Sequence, residues 1–250
     1  MPPPPDANQI IQGLWVGSRL SEMEQLSIAS FLQNGHEYHL YVYNDIDGVP
    51  PGTVIKDASE ILPSSAIFQY KKRPSFAGFA DMFRFKLMYE RGGWWADSDM
   101  VCLRPFDFPE PYVISSEMNT GKELTNVGVI KAPQRSAAMA YAYDICRTKN
   151  PAKIKWGEIG PGLMAEVVSK FGLIEYQKPY YTFCPISEWQ KLLEPYVAAI
   201  HPDSYAIHLW NESWRLANQD KNKAYHSECI YEQLKCLYLG NRHLVITAEL

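Results

Sequence analysis

Asp97-Ser98-Asp99 is the segment of this chain best suited to chemistry. Two carboxylates one residue apart follow the apolar run Gly92-Gly93-Trp94-Trp95-Ala96 and precede Met100-Val101-Cys102-Leu103, as at the exit of a buried strand. Asp and Glu are almost never buried without a partner. Two of them together repel and shift each other's pKa unless a cation sits between them. Mg2+ and Mn2+ are hard ions that take carboxylate oxygens and then hold substrate phosphates. The pair therefore reads as a divalent-metal site for a diphosphate. An acidic turn is the competing reading, because a D-x-D triplet alone is common.

Asp81 and Arg84 bear on that choice. They stand three residues apart, one helical turn, shortly before the acidic pair, and a helix-turn-strand would bring them back beside it. Arginine offers a planar fork of donors suited to phosphate or vicinal hydroxyls. Aspartate accepts hydrogen bonds from sugar hydroxyls. Without the acidic pair nearby, the two would read as a surface ion pair.

The elements that must carry these residues alternate strand and helix. Strands are expected over Ile10 to Val16, Tyr38 to Tyr43, Trp94 to Ala96, Tyr112 to Ser115, Val127 to Lys131 and Ala206 to Trp210. Ser21 and Glu24 form a capping box that opens a helix running to Gln33. Ser75 is the expected cap of a helix ending at Gly92-Gly93, with Phe76, Phe79, Ala80, Phe83 and Leu87 as its core stripe. Further helices are expected over a short stretch at Ala58 to Leu62, over Ser136 to Arg147, from Gly160-Pro161 to about Gly172, and over Tyr225 to Leu239. Residues 1–8 read as a disordered, proline-rich tail and residues 9–250 as a single domain. The alternation points to an α/β sheet covered on both faces, whose ligands sit beyond the carboxyl ends of the strands.

Composition narrows the partners. The chain has 250 residues and a formal net charge of −4, which argues against a nucleic-acid partner. Five cysteines, an odd number with no C-x-x-C pair, argue against a disulfide framework and a zinc site. Reduced thiols and the lack of a signal peptide suit a cytoplasmic protein. No apolar stretch is long enough to span a bilayer, so membrane contact, at the inner face, would be at most peripheral. Lys71-Lys72-Arg73 is either a solvated face or a modest patch for phosphate or lipid headgroups.

Ala80-Asp81-Met82-Phe83-Arg84, Leu87 and Tyr89 through Asp99 resemble the pattern A-D-x-x-R, L, Y-x-x-G-G-x-(Y/W)-x-D-x-D of glycosyltransferase family 32. That family holds DXD-containing sugar transferases, among them Golgi mannosyltransferases and capsule and lipopolysaccharide glycosyltransferases. Ile10 to Gly17 and His208 to Trp214 extend the resemblance, which covers most of the chain. It implies a GT-A-like nucleotide-diphospho-sugar transferase fold, a Rossmann-like mixed sheet flanked by helices. It implies a retaining hexosyltransferase of polysaccharide biosynthesis that uses Mn2+ or Mg2+. The donor would be a nucleotide sugar, UDP-sugar favoured over GDP-sugar, and the acceptor a glycan or lipid-linked glycan.

Residue by residue, the resemblance implies that Trp15 stacks on the base. Asp81 and Arg84 would hold the donor sugar and its diphosphate, and Asp97 would contact ribose and sugar hydroxyls. Asp97, Asp99 and His208 would hold the metal, and Asn126 would face the transferred sugar. Gly160-Pro161 would lie near the acceptor side. Ser213 and Trp214 would ride a flexible loop over the β-phosphate. The chain departs from the family where Gln12 and Gly13 replace the usual histidine and glutamine before Trp15, and where Trp94-Trp95 is bulkier than usual. A nucleotide-sugar hydrolase and a non-catalytic glycan- or nucleotide-binding module are the alternatives.

Overall fold

The computed structural model describes residues 9–71, 74–195 and 200–240. The proline-rich tail, Lys72 and Arg73 of the basic triplet, and everything after Gly240 lie outside them. In chain order the elements are β1 (Ile10–Trp15), α1 (Glu22–Gln33), β2 (Glu37–Val42), β3 (Val54–Asp57), α2 (Ala77–Arg91), β4 (Gly93–Ala96), β5 (Met100–Cys102), β6 (Val113–Asn119), β7 (Lys122–Ala132), α3 (Ala137–Thr148), α4 (Pro161–Lys170), β8 (Ala206–His208), α5 (Asn211–Leu216) and α6 (Ile230–Leu239).

Six strands make one mixed sheet in the order β3-β2-β1-β4-β7-β6, and β5 pairs with β8 in a small second sheet. The first four are mutually parallel, whereas β7 runs antiparallel to both β4 and β6. Successive side chains of a strand point to opposite faces. Trp94 and Trp95 accordingly enter different cores. Trp95 packs with Phe83, Met139 and Leu163 beneath α2, α3 and α4. Trp94 packs with Ile28, Phe31 and Phe106 on the α1 side. A third cluster joins α1, the small sheet and α6 through Leu26, Ile207, Trp214 and Tyr231.

The α1 capping box forms as expected, with the Ser21 N–H donating to Glu24 Oε2 at 2.8 Å. At α2 the cap shifts by one residue: Phe76 occupies the N-cap position, and the Ser75 hydroxyl accepts from the Ala77 N–H at 3.2 Å. Phe79, Phe83 and Leu87 of the expected stripe are fully buried. The strand expected to run to Trp210 stops at His208, because Trp210 takes a left-handed conformation (φ 59°) and opens α5. That helix stands where a flexible loop was expected. The final helix starts at Ile230 rather than Tyr225. Among the described residues no helix is long and apolar enough to cross a membrane.

Candidate active site

A cavity of about 1030 Å³ opens at the carboxyl ends of β1 and β4, between the start of α2, the β6–β7 hairpin and α5. Trp15, Asp81, Arg84, Asp97, Asp99, Asn126, His208 and Ser213 all line it. Sheet register explains how the acidic pair arrives there. Ala96 pairs with Val129, so the next residue, Asp97, meets Gly128, to whose carbonyl its N–H donates at 2.8 Å. Met100 pairs with His208, which sets Asp99 beside the imidazole, with His208 Nε2 3.3 Å from Asp99 Oδ2. The Asn211 N–H donates to the same carboxylate oxygen at 2.8 Å.

Arg84 ties the upstream pair to the triplet. Its Nη2 lies 2.9 Å from Asp97 Oδ1 and 3.3 Å from Asp81 Oδ1. Its Nη1 donates to the Val127 carbonyl, and the guanidinium sits 5.0 Å from the centre of the Trp95 ring. The Trp95 indole N–H donates to Asp97 Oδ1 at 2.8 Å. Burial raises the Asp81 carboxyl, against the pull of Arg84, to about 7, and the nearby Asp97 charge adds to the rise. Burial also pushes Asp97 up despite Arg84. Asp99 behaves oppositely. Burial raises it, but His208, the Asn211 N–H and Lys221 outweigh burial and leave it lowered. Burial lowers His208, yet the charge and hydrogen bond of Asp99 carry it well above the ordinary histidine range.

Two buried carboxylates and an imidazole on one wall suit a divalent cation in kind. They are not closed around a point, however. Among the described residues no three His, Cys, Asp or Glu side chains form a group that could hold a metal ion. The expected set of Asp97, Asp99 and His208 is therefore assembled only as Asp99 with His208. Asp97 is instead held by Arg84, whose charge stands where an ion would otherwise be needed.

Trp15 is half-buried at the cavity wall, with its indole N–H donating to the Arg19 carbonyl at 3.0 Å. Asn126 Oδ1 accepts from the Gly128 N–H at 2.6 Å and the Ser115 hydroxyl at 3.2 Å. Pro161 lines the cavity, and Gly160 has a steric reason beyond starting a helix: a Cβ there would stand 2.4 Å from Asp81 Oδ2.

Trp214 corrects the expectation that its indole N–H aims at a diphosphate. The ring is fully buried among Trp189, Tyr225 and Tyr231, away from the cavity lining, and among the described residues its Nε1 has no hydrogen-bond partner. The short helix α5 turns Ser213 outward to the cavity and Trp214 inward to the core. Trp214→Phe is expected to cost about 1–2 kcal/mol of stability through the space it leaves, read by denaturant unfolding. A loss of turnover at full stability would return the indole to the site.

Three of the cavity residues that escape the sequence reading bond to the site or its neighbours. Glu117 on β6 accepts from the Asn126 side-chain amide at 2.5 Å. Lys221 reaches Glu24 at 2.5 Å and Asn211 Oδ1 at 3.0 Å, with its ammonium 5.6 Å from the Trp15 ring centre. Asn211 aims its backbone at Asp99. Only Asn211 lay in a segment with a signal, directly after His208-Leu209-Trp210.

Known proteins give the fold context. Residues 21–120 match the family described as "Glycosyltransferase sugar-binding region containing DXD motif", a span that includes Asp81, Arg84, Asp97 and Asp99. No curated protein matches the chain in sequence. Among solved structures, PaToxG glycosyltransferase is similar over 67% of this chain and 71% of its own, at 16% identity and a TM-score of 0.52. A mutant transferase is similar over 82% of this chain and 94% of its own, at 11% identity and a TM-score of 0.48. The chain thus has a GT-A-like α/β fold, and its residues 21–120 are similar to the DXD-containing sugar-binding region of glycosyltransferases.

Proposed function

We propose that this protein is a metal-dependent, retaining hexosyltransferase that moves a sugar from a nucleoside-diphosphate donor, UDP favoured, to a hydroxyl of a glycan-type acceptor. The observation that carries this reading is the contact chain from Asp81 through Arg84 to Asp97 on the wall that also holds Asp99 and His208. Trp15 stacks on the base, and Lys221 steadies that end of the cavity from above the ring. Asp81 accepts hydrogen bonds from hydroxyls of the transferred sugar, whose other edge faces Asn126. Arg84 and the Ser213 hydroxyl direct donors at the diphosphate as negative charge builds on it; one such aimed donor is worth ~10²-fold or more in rate. Mn2+ or Mg2+ at Asp99 and His208, with Asp97 alongside, would supply Lewis-acid neutralisation of the leaving diphosphate. Asp81, Arg84, Asp99 and His208 of the polar wall are nearly buried, so their charges act where water screens them less. Free thiols, four of the five buried, suit action on the cytoplasmic side of a membrane at most peripherally touched.

One observation favours the hydrolase reading. Glu117 supplies a carboxylate at the Asn126 end of the cavity, where an attacking water could be held. Product analysis separates the two. Incubation with UDP- and GDP-hexoses and Mn2+ is expected to release nucleoside diphosphate, to stop on chelation, and to divert the sugar from free hexose to glycoside when saccharide acceptors are added. No release from any donor, or release indifferent to chelation, overturns the reading.

A further inference from the structure

We infer that Trp156, backed by Tyr70, is the platform on which a carbohydrate acceptor stacks at the mouth of the cavity; this rests on the transferase reading above. Trp156 is 46% exposed although it lines the cavity, and its ring lies 5.1 Å from that of buried Tyr70 at 45°. Exposure of 46% at a rim is large for so apolar a side chain, and the turn that follows Trp156 is closed. The Gly162 N–H closes back on the Gly157 carbonyl at 2.9 Å, and Gly160 lies so close to Asp81 that no side chain fits between them.

The contacts also order the cavity. Trp15 meets Lys221, which meets Asn211, whose backbone meets Asp99 beside His208. On the same wall Asp97 meets Arg84, Arg84 meets Asp81, and Asp81 abuts the loop of Trp156. Trp15 and Trp156 therefore line one cavity, the first connected to its polar wall through Lys221 and Asn211 and the second through Gly160 and Asp81. A nucleotide sugar presents one base and needs one of them. The second lies past the residues that face the transferred sugar, where the attacking molecule must enter. A pyranose offers a face of C–H bonds with slight positive charge, the complement of the negative face of an aromatic ring. The cavity, about 1030 Å³, is at the upper end of the ~300–1,000 Å³ typical of sites for one small molecule, leaving room for a second ring.

Two measurements test the assignment. In kinetics with UDP-hexoses, Mn2+ and a panel of methyl hexopyranosides as acceptors, Trp156→Ala should raise the acceptor KM on the order of tenfold. Trp156→Phe should recover most of that loss, and the donor KM should move far less than the acceptor KM. In a donor-free experiment, saturation-transfer NMR should show methyl hexopyranosides binding the parent through their C–H face and weakening in Trp156→Ala. This second arm holds even if no donor is turned over, so failure of the transferase reading and failure of the platform are distinguishable. An increase confined to the donor KM assigns Trp156 to the base and overturns the inference. Saccharide binding equal in parent and Trp156→Ala, with both folded by circular dichroism, overturns it as well.

Discussion

Replacing Asp99 with asparagine is expected to lower donor turnover by about 10²–10³-fold while leaving the protein folded. Asparagine retains an oxygen for the Asn211 N–H, now 2.8 Å from Asp99 Oδ2, so the entry into α5 keeps its anchor. What is lost is the charge. Asp99 is the carboxylate of the wall that stays ionised most easily, since its pKa is lowered where those of Asp81 and Asp97 are raised. It is therefore the strongest cation ligand available at neutral pH. The substitution also releases His208, whose raised pKa depends on Asp99 against burial. The imidazole pKa should then fall, as its NMR titration would read. Turnover at saturating Mn2+, a thermal melt and that titration together check the outcome. Parental turnover in Asp99→Asn would remove the cation from this carboxylate.

Asp99 was readable because its chemistry is carried by residue types at fixed spacing. A strand exit followed by D-x-D, with D-x-x-R one turn into the preceding helix, survives without any knowledge of packing. The parallel half of the sheet was readable for a similar reason, since β1, β2 and β4 are apolar runs closed by turn residues. Other features depend on long-range geometry. β3 is only four residues, half-buried and exposed in alternation, and is a strand by virtue of pairing with β2. β5 is three residues whose partner, β8, lies about a hundred positions away. The hairpin strand β6 runs four residues past the expected end at Ser115, and those extra residues carry Glu117 into the cavity. Lys221 reaches Trp15 and Glu24 from a segment with no motif, so nothing local announces it. Trp214 shows the opposite failure. Its place in the resemblance put it over the β-phosphate, but successive side chains of a helix point roughly 100° apart, so α5 turns Ser213 to the cavity and the large Trp214 ring to the core.

Arg84→Met is expected to cost about 3–5 kcal/mol of stability at neutral pH, with the deficit shrinking as the solution is acidified. Methionine fills much of the volume of the arginine stem, so packing changes less than charge. The guanidinium is the cation shared by Asp81 and Asp97, at 3.3 and 2.9 Å. Without it, buried Asp81 and part-buried Asp97 lose their shared cation, and among the described residues only Asp97 keeps a side-chain donor, the Trp95 indole N–H. In the parent, burial already lifts Asp81 from the ordinary 3.8 to about 7. A group raised on folding binds its proton more tightly in the native state. Its contribution is fully present below 3.8 and is lost as pH rises through the folded value of about 7. Arg84 lowers both carboxylates, so removing it raises both folded values further. Stability of Arg84→Met should then keep falling with pH beyond the point where the parent levels off. Urea unfolding of both proteins at about pH 5 and about pH 8.5 reads the difference. The gap should be wide at the alkaline point and narrow at the acidic one, where protonated Asp81 no longer needs a counter-ion. Arg84→Lys should fall between the two, since an ammonium restores the charge but not the fork that spans both carboxylates. A gap of the same size at both pH values would mean that Arg84 stabilises the site by packing against Trp95 and bonding to Val127, and that the two carboxylates are neutralised by something else.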